Sequence, residues 1–101
     1  MHATIRRYAG VDESRTAELT DRVNEGLVPK LTALPGFQGY YLIEAGNGVI
    51  SSLGLFNTSE QADASTELAA AWVRDENLEA ALPDAPAVTS GTVIAHAGGN
   101  R

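Results

Sequence analysis

Two consecutive arginines, Arg6 and Arg7, are the residues of this chain whose position most clearly suggests chemistry. They lie in residues 3–9, which are predicted to form the first strand, and side chains alternate across a strand. One arginine must therefore point to each face of the sheet. A buried cation is costly unless it meets a carboxylate, solvent or an anionic ligand. Two interpretations stay open: the arginine on the face away from the helices polarises a substrate carbonyl or binds a carboxylate, or it pairs with an acidic residue such as Glu44. The sequence does not tell which arginine faces a pocket.

A histidine and several aromatic residues add to the candidates. His96, near the end of the last predicted strand, could act as an acid or base near neutral pH, or it is an exposed residue at a strand end. Four aromatic residues could bind or orient a flat ligand: Tyr8, Tyr40, Tyr41 and Phe56. Because Tyr40 and Tyr41 are neighbours on a strand, they point to opposite faces and only one can line a given cavity.

Other kinds of chemistry find no support in the sequence. The 101 residues include no cysteine, which excludes thiol nucleophiles, disulfides and thiolate metal sites. The acidic residues do not cluster with histidines at metal-ligand spacing, so no metal site and no cofactor are predicted. The net charge of −6 argues against binding to nucleic acid or to an anionic membrane. No apolar run resembles a signal peptide or a membrane span, so a cytoplasmic protein is expected.

A β-hairpin is predicted over residues 37–56, with Asn47 and Gly48 as its two-residue turn. This turn predicts three cross-strand pairs: Gly46 with Val49, Leu42 with Leu53, and Tyr40 with Leu55. Both faces of the hairpin are then apolar, whereas a hairpin exposed on one side normally alternates apolar and polar residues. The helices of one chain suffice for only one face, so a second copy of the protein is expected to cover the other.

Two helices complete the predicted elements. Apolar residues at mostly four-residue spacing mark the buried face of the first helix: Leu19, Val23, Leu27, Leu31 and Leu34. Pro29 lies inside this helix and is expected to kink it. Thr58 and Gln61 fit a capping box at the start of a second helix, which runs from about residue 59 to the mid-70s. Residues 87–96 are predicted to form the last strand.

The order strand, helix, strand, strand, helix, strand predicts a ferredoxin-like α+β fold, with a four-stranded antiparallel sheet and both helices on one face. The first and third strands are expected at the centre of the sheet. The free face would pack on a partner sheet in a two-fold homodimer. All 101 residues form one predicted domain, with a core over residues 3–96 and a flexible tail over 97–101.

Five segments carry a resemblance to a known family: IRRY, the helix end LPGF, the hairpin GYYLIEAGNG, the strand end LF followed by TSEQA, and the late strand SGTV. Together they are similar to the antibiotic biosynthesis monooxygenase-like group, over about residues 3–96. The resemblance implies a dimeric α+β barrel. Members of this group include cofactor-free oxygenases of aromatic polyketide-like compounds and haem-degrading enzymes.

The resemblance also implies which residues would form an active site. In the oxygenases of this group a helical tryptophan lines the substrate pocket, and Trp72 is the position that could correspond; otherwise Trp72 is a large core residue. The asparagine that those oxygenases use has no counterpart on the first strand. No histidine lies between His2 and His96, so the second helix offers no iron ligand and haem degradation is not expected.

Two functions from different classes follow. The first is a cofactor-independent monooxygenase acting on a small aromatic or quinol-like compound, in which the substrate itself reduces oxygen. Its predicted catalytic residues are Arg7, Trp72 and His96, and its predicted substrate-binding residues are Arg6, Tyr8, Tyr40, Tyr41 and Phe56. The second is a non-catalytic small-molecule-binding module, or a structural dimer whose interior is filled by its own side chains. A pocket with convergent polar groups would favour the first function. The sequence does not identify the substrate.

Overall fold

The computed structural model describes residues 1–79, 81–82 and 86–97. The elements are β1 (His2–Tyr8), a short 3₁₀ helix (Glu13–Arg15), α1 (Thr16–Arg22), a π-helical segment (Val23–Leu27), α2 (Val28–Thr32), β2 (Phe37–Gly46), β3 (Val49–Phe56), α3 (Ser59–Asp75) and β4 (Ala87–Thr92). Their order confirms the predicted ferredoxin-like α+β arrangement. Of the predicted tail, only Ala97 lies within the described residues.

The four strands form one antiparallel sheet in the order β2-β3-β1-β4. The predicted central position of the first and third strands is confirmed. Alternate residues of these two strands are buried beneath the helices: Thr4, Arg6, Ile50, Ser52 and Phe56. On the opposite face of β1, Ile5 is 39% exposed. The helices of the chain therefore cover one face of the sheet and leave the other open.

The predicted apolar row holds the first helical region on the sheet. Four of its members are buried, namely Leu19, Val23, Leu27 and Leu31. The kink expected at Pro29 takes the form of the π-helical segment just before it, where the N–H of Val28 donates to the carbonyl of Val23. Proline crowds the preceding helical turn and lacks an N–H donor. The wider π turn accommodates both defects without ending the helical region.

Gly26 lies in the π-helical segment and packs directly on the indole of Trp72. A Cβ atom on Gly26 would lie 2.9 Å from Trp72 Nε1, closer than such atoms approach in proteins. The glycine therefore lets the first helical region come close to α3. This contact places Trp72 between the two helical regions and the sheet, where it is 5% exposed.

The capping box predicted for the second helix is confirmed. Thr58 Oγ1 accepts from the backbone N–H of Gln61 at 3.2 Å, and Gln61 Oε1 accepts from the backbone N–H of Thr58 at 3.1 Å. These bonds satisfy two N–H groups that have no partner within the helix. They fix the start of α3 at Ser59, in agreement with the prediction.

The predicted hairpin register is wrong beyond its first pair. Gly46 pairs with Val49 as expected, but Leu42 lies opposite Ser52 and Tyr40 opposite Gly54. The cause is an irregularity between Glu44 and Gly46, where β2 holds one residue more than β3. Because side chains alternate along a strand, a shift of one residue exchanges the two faces of β3. Two leucines consequently lie on the open face and three other residues on the helix face: Leu53 and Leu55, and Ile50, Ser52 and Phe56.

The last strand is shorter than predicted. β4 ends at Thr92, which pairs with His2, and the N–H of Val93 donates to the carbonyl of Met1 at 2.9 Å. The ladder ends at this pair, at the first residue of β1. His96 therefore lies outside the sheet and is exposed. None of the described helices is long and apolar enough to cross a membrane.

Candidate functional site

The structure separates the two consecutive arginines. Arg6 lies on the helix-facing side of the sheet, opposite Ser52 on β3 and Val88 on β4, and is only 5% exposed. Arg7 lies on the open side and is exposed. The arginine that the sequence assigned to catalysis is thus on the face away from the helices, whereas the buried arginine is Arg6. Strand alternation predicts one arginine on each face, but only the pairing of the strands decides which one is buried.

An inner cavity lies around the Arg6 side chain. Its volume is about 30 Å³, room for about one water molecule or one oxygen atom of a ligand. Its polar and aromatic walls are formed by Arg6, Tyr8, Tyr40, Ser52 and Trp72. Leu19, Leu27 and other aliphatic side chains complete it. The cavity is therefore apolar except where Arg6, Ser52 and the two tyrosines contribute polar atoms.

The polar atoms of this cavity are short of partners. Among the residues that the structure describes, Nε and Nη1 of Arg6 and Oγ of Ser52 are buried and form no hydrogen bond of standard geometry, although Arg6 and Ser52 lie close enough to the Tyr40 hydroxyl to lower its pKa. Buried polar groups in native proteins normally have a partner, and exceptions call for an explanation such as a bound water, ion or ligand. Three such atoms on two neighbouring residues therefore indicate a place where a polar group binds.

No carboxylate neutralises Arg6 within the described part of the chain. The ion pairs found there join Arg15 and Arg22 to Glu18 and Glu76. Glu44, the partner suggested by the sequence, is exposed and forms none of them. Burying a cation without a counter-charge lowers the free energy of unfolding by on the order of several kcal/mol. This unpaired charge lies on the face of the sheet that borders the cavities.

The hydroxyl of Tyr40 belongs to the same cluster. Burial, the largest effect, raises the pKa of Tyr40 above its ordinary value, and Tyr8 adds to the rise. The Arg6 cation and the nearby Ser52 oppose the rise in this pKa without cancelling it. Tyr40 is therefore neutral at physiological pH, and its hydroxyl lies beside Arg6 and Ser52.

An outer groove runs between the first helical region and β2. Its volume is about 330 Å³. The sheet side is formed by Phe37, Tyr40, Leu42, Glu44 and Ile50, and the helix side by Thr16, Thr20, Val23, Asn24 and Val28. The size falls at the lower end of the range for small-molecule sites, and the lining is mostly apolar with a few polar groups, as such sites usually are.

The outer groove and the inner cavity are neighbours. They share the side chains of Val23, Tyr40, Leu42 and Ile50. A ligand in the groove would therefore lie against the same Tyr40 ring whose other side borders Arg6. Glu44 therefore borders the groove on one side of these shared side chains, and Arg6 borders the cavity on the other.

The structure brings together some of the predicted site residues and not others. Arg6, Tyr8, Tyr40 and Trp72 all line the inner cavity. Trp72 is also a member of the buried core, so both interpretations offered for it from the sequence are compatible with its position. This indole is the only one in the chain, which makes its fluorescence a specific probe of the site.

The remaining predicted residues lie elsewhere. Arg7 and Tyr41 are on the open face of the sheet, where Tyr41 is 57% exposed. His96 is exposed beyond the end of β4. Phe56 is buried and packs edge-on against Phe37, with ring centres 5.8 Å apart, and it lines neither cavity. Within a single chain, these residues do not form one site with Trp72.

Ser52 is the site residue that sequence reasoning missed. It lies in the segment VISSLGLF, and neither a catalytic nor a substrate-binding role was predicted for it. The extra residue in β2 places Ser52 on the helix-facing side of the sheet, beside Arg6 and opposite Leu42. A serine at a buried position of an apolar strand is the only sequence signal, and it becomes visible once the register is known.

Comparison with known proteins rests on structure, since neither any protein-family model nor any curated protein matches this chain. A protein of unknown function from Nitrosomonas europaea superposes with a TM-score of 0.76 at 19% identity, covering 99% of this chain and 95% of that one. A mutant of MhuD with two manganese protoporphyrin IX bound per active site gives 0.74 at 18%, covering 98% and 100%.

A monooxygenase from the gene ActVA-Orf6 of Streptomyces coelicolor, in complex with the ligand nanaomycin D, gives a TM-score of 0.72 at 14% identity, covering 98% of this chain and 92% of that one. This chain has the fold of the antibiotic biosynthesis monooxygenase-like proteins. A proposed antibiotic biosynthesis monooxygenase from Nitrosomonas europaea matches at 15% identity, and a dimeric ferredoxin-like protein from an uncultured marine organism at 14%. At such identities the likeness concerns the fold, and it confirms the resemblance seen in the sequence at that level.

The unpaired Arg6 predicts an unusual effect on stability. Replacing Arg6 by methionine removes a buried charge and fills similar space, so the free energy of unfolding should stay equal or rise by about 1–4 kcal/mol. Urea denaturation of the wild type, Arg6→Met and the exposed control Arg74→Met measures this free energy of unfolding. A loss of about 3–5 kcal/mol in Arg6→Met alone would instead show that a carboxylate of the protein holds this arginine.

The raised pKa of Tyr40 predicts a loss of stability in alkali. The folded state favours the neutral phenol, so this contribution is complete at neutral pH and disappears as the pH rises through the pKa of the folded state. Ultraviolet titration of the wild type against Tyr40→Phe should assign to Tyr40 a transition above the pH at which free tyrosine ionises. Arg6→Met should move that transition higher, because the opposing cation is gone. A Tyr40 transition at or below that of free tyrosine would contradict the burial of its hydroxyl.

Proposed function

We propose that this chain is a cofactor-independent monooxygenase that binds a small, flat phenol or quinol in the outer groove and oxidises it with molecular oxygen. One observation carries the proposal: a groove with aromatic and aliphatic walls adjoins the cavity around a buried cation that has no counter-charge among the described residues. The groove would bind the rings, and the cation would bind the oxygen atom through which such substrates are activated.

The walls of the groove suit a flat ring system. Phe37 and Tyr40 contribute aromatic surface from β2, and Val23 and Val28 face them from the helical side. Aromatic rings pack against such surfaces in offset or edge-on arrangements. With a volume of about 330 Å³, the groove favours compounds of two or three fused rings over larger ones.

Arg6 would activate the substrate by favouring its ionised form. A guanidinium next to a phenol lowers the pKa of that phenol, because it stabilises the negative oxygen. The charge of a phenolate is shared with its ring carbons, and such a carbon can pass electrons to oxygen in one-electron steps and form a C–O bond. The buried surroundings strengthen the interaction between Arg6 and the anion.

The net reaction balances with the substrate as sole reductant. A phenol and one O₂ give a quinone and one water, so the substrate supplies all four electrons. One oxygen atom forms a new carbonyl at a ring carbon, and the other leaves as water with the hydrogens of that carbon and of the hydroxyl. In the peroxide formed on the way, Tyr40 would donate a proton before the O–O bond breaks and the ring C–H proton leaves.

A porphyrin cofactor does not fit the residues present. The chain has no histidine between His2 and His96, and it has no cysteine. Neither helical region thus offers an imidazole or thiolate for an iron centre. Within the described residues, no group of three or more acidic or histidine side chains is placed to hold a metal ion. The proposed reaction uses none of these groups.

The open face of the sheet supports a homodimer as the working assembly. Ile5 on β1 and Tyr41 and Ile43 on β2 expose 39%, 57% and 48% of their surface there. Leu53 on β3 lies between Ile5 and Tyr41. A contiguous apolar surface on a soluble chain usually marks an interface. A second copy, related to the first by a two-fold axis, would pack its open face against this one and bury both. The cytoplasmic location predicted from the sequence remains a prediction.

Sedimentation equilibrium tests the dimer. The wild type should show twice the 10.6 kDa mass of the chain. Ile43→Glu places a charge on the open face and should give a monomer, because burying an unpaired carboxylate is costly. The control Ala70→Glu adds the same charge to the exposed side of α3 and should remain dimeric. A monomeric wild type would contradict this part of the proposal.

Oxygen consumption tests the chemistry. A set of naphthols and naphthoquinols should include a compound whose oxidation consumes one O₂ per turnover in the presence of the protein. Arg6→Gln should lower that rate by about 100-fold or more, since it removes the charge that stabilises the anion. Arg74→Gln, an exposed change of equal charge, should leave the rate unaltered. Quenching of Trp72 fluorescence by these compounds without any oxygen uptake would contradict the oxygenase and favour the non-catalytic binding module.

A further inference from the structure

We infer that the ligand of this groove is bipolar: it presents one anionic oxygen to Arg6 and Ser52 at the inner end, and a hydrogen-bond donor or a cation to Glu44 at the rim. This inference rests on the proposed function, because it concerns the same groove. It narrows the substrate class to flat phenols or quinols whose acidic oxygen points inward and that carry an amino or hydroxyl group at the far end, and aromatic carboxylates serve as probes of the same anion site.

The inner end is built for a single oxygen atom. Arg6 and Ser52 are 5% and 2% exposed, and both side chains border the inner cavity. Three of their polar atoms lack partners among the described residues, and two of these atoms belong to a cation. The volume of about 30 Å³ admits one oxygen but not a ring. The ring itself must therefore stay in the outer groove, with its acidic oxygen pointing inward.

The rim carries the opposite charge. Glu44 borders the outer groove and is exposed. Of the described side chains that line either cavity, Arg6 and Glu44 are the charged ones, and the others with polar atoms are neutral hydroxyls, the amide of Asn24 and the indole of Trp72. A ligand that lies along the groove meets a positive end and a negative end, so its two ends are told apart by charge.

The sheet sets the separation of these two ends. Arg6, Ser52 and Leu42 lie side by side across β1, β3 and β2, and Glu44 follows Leu42 by two residues on the same face. With strand spacings of about 4.8 Å and a rise of about 3.3 Å per residue, the Cα atoms of Arg6 and Glu44 lie roughly 12 Å apart. Because side chains stand roughly perpendicular to a sheet, the two charged groups stay about that far apart, and a two-ring compound substituted at both ends fits between them.

The net charge of the protein does not explain why the inner end of the site would prefer an anionic oxygen. A chain with a net charge of −6 repels anions in general. Anion binding would therefore come from the local contact with Arg6. Arg7 provides a matched control, since it is the next residue, has the same charge and lies on the opposite face of the sheet.

Calorimetric titration with four naphthalene compounds tests the inference. The probes are a naphthoate, the corresponding uncharged naphthamide, the naphthoate with an amino group at the far end, and the naphthalene dicarboxylate. At low salt the naphthoate should bind at least about tenfold more tightly than the naphthamide, as expected for a hydrogen bond to a charged group. The amino compound should bind as well as the naphthoate or better, and the dicarboxylate several-fold more weakly.

Three variants assign these differences to residues. Arg6→Gln should abolish the preference for naphthoate over naphthamide, whereas Arg7→Gln should keep it. Glu44→Gln should remove the penalty on the dicarboxylate. Equal affinity of the wild type for naphthoate and naphthamide, or equal loss in both arginine variants, would overturn the inference while leaving the aromatic groove in place. If none of the four probes bound, the inference would be overturned, whereas only failure of the naphthols and naphthoquinols to bind as well would contradict the proposed function.

Discussion

A positive charge held on the buried face of a central strand is the constraint on which the site depends. β3 and β4 flank β1 on both sides, so Arg6 lies on an interior strand of the sheet. Its described polar neighbours, Tyr40 and Ser52, are neutral. Such an arrangement is unfavourable for folding alone. Residues that lower stability are typical of binding and catalytic sites, where the missing partner is supplied by the ligand.

One extra residue in β2 connects the interior site with the surface of the molecule. The irregularity between Glu44 and Gly46 exchanges the faces of the paired strand relative to a regular hairpin. Ser52 is thereby brought beside Arg6, and Leu53 and Leu55 are moved to the open face. The same local feature thus supplies a polar atom to the cavity and apolar area to the proposed dimer interface.

Much of the fold could be predicted from the sequence because it depends on local patterns. The apolar row of the first helical region, the capping box at Thr58 and the turn at Asn47 and Gly48 each have a short-range signature. The extra residue in β2 has no short-range signature, since the same turn closes a hairpin with or without it. The end of β4 depends on where a distant strand begins.

The candidate site could be predicted only in part, for the same reason. Alternation places one of two adjacent arginines under the helices, yet only pairing with β3 shows that it is Arg6. Tyr40 was predicted as an aromatic residue that could bind a flat ligand, and Trp72 from the resemblance to the oxygenases, and both border the cavity. Ser52 depends on the register, and the role of Glu44 depends on which strand forms the rim of the groove.

A crystal structure of the protein with bound naphthoate would test most directly whether Arg6 is a buried cation reserved for a ligand. A carboxylate oxygen of the ligand should lie about 2.8 Å from the Arg6 guanidinium, with the rings in the groove beside Tyr40. If a carboxylate of the protein, from the same chain or from a second copy, occupied that position instead, Arg6 would be part of a structural ion pair and the proposed site would be wrong.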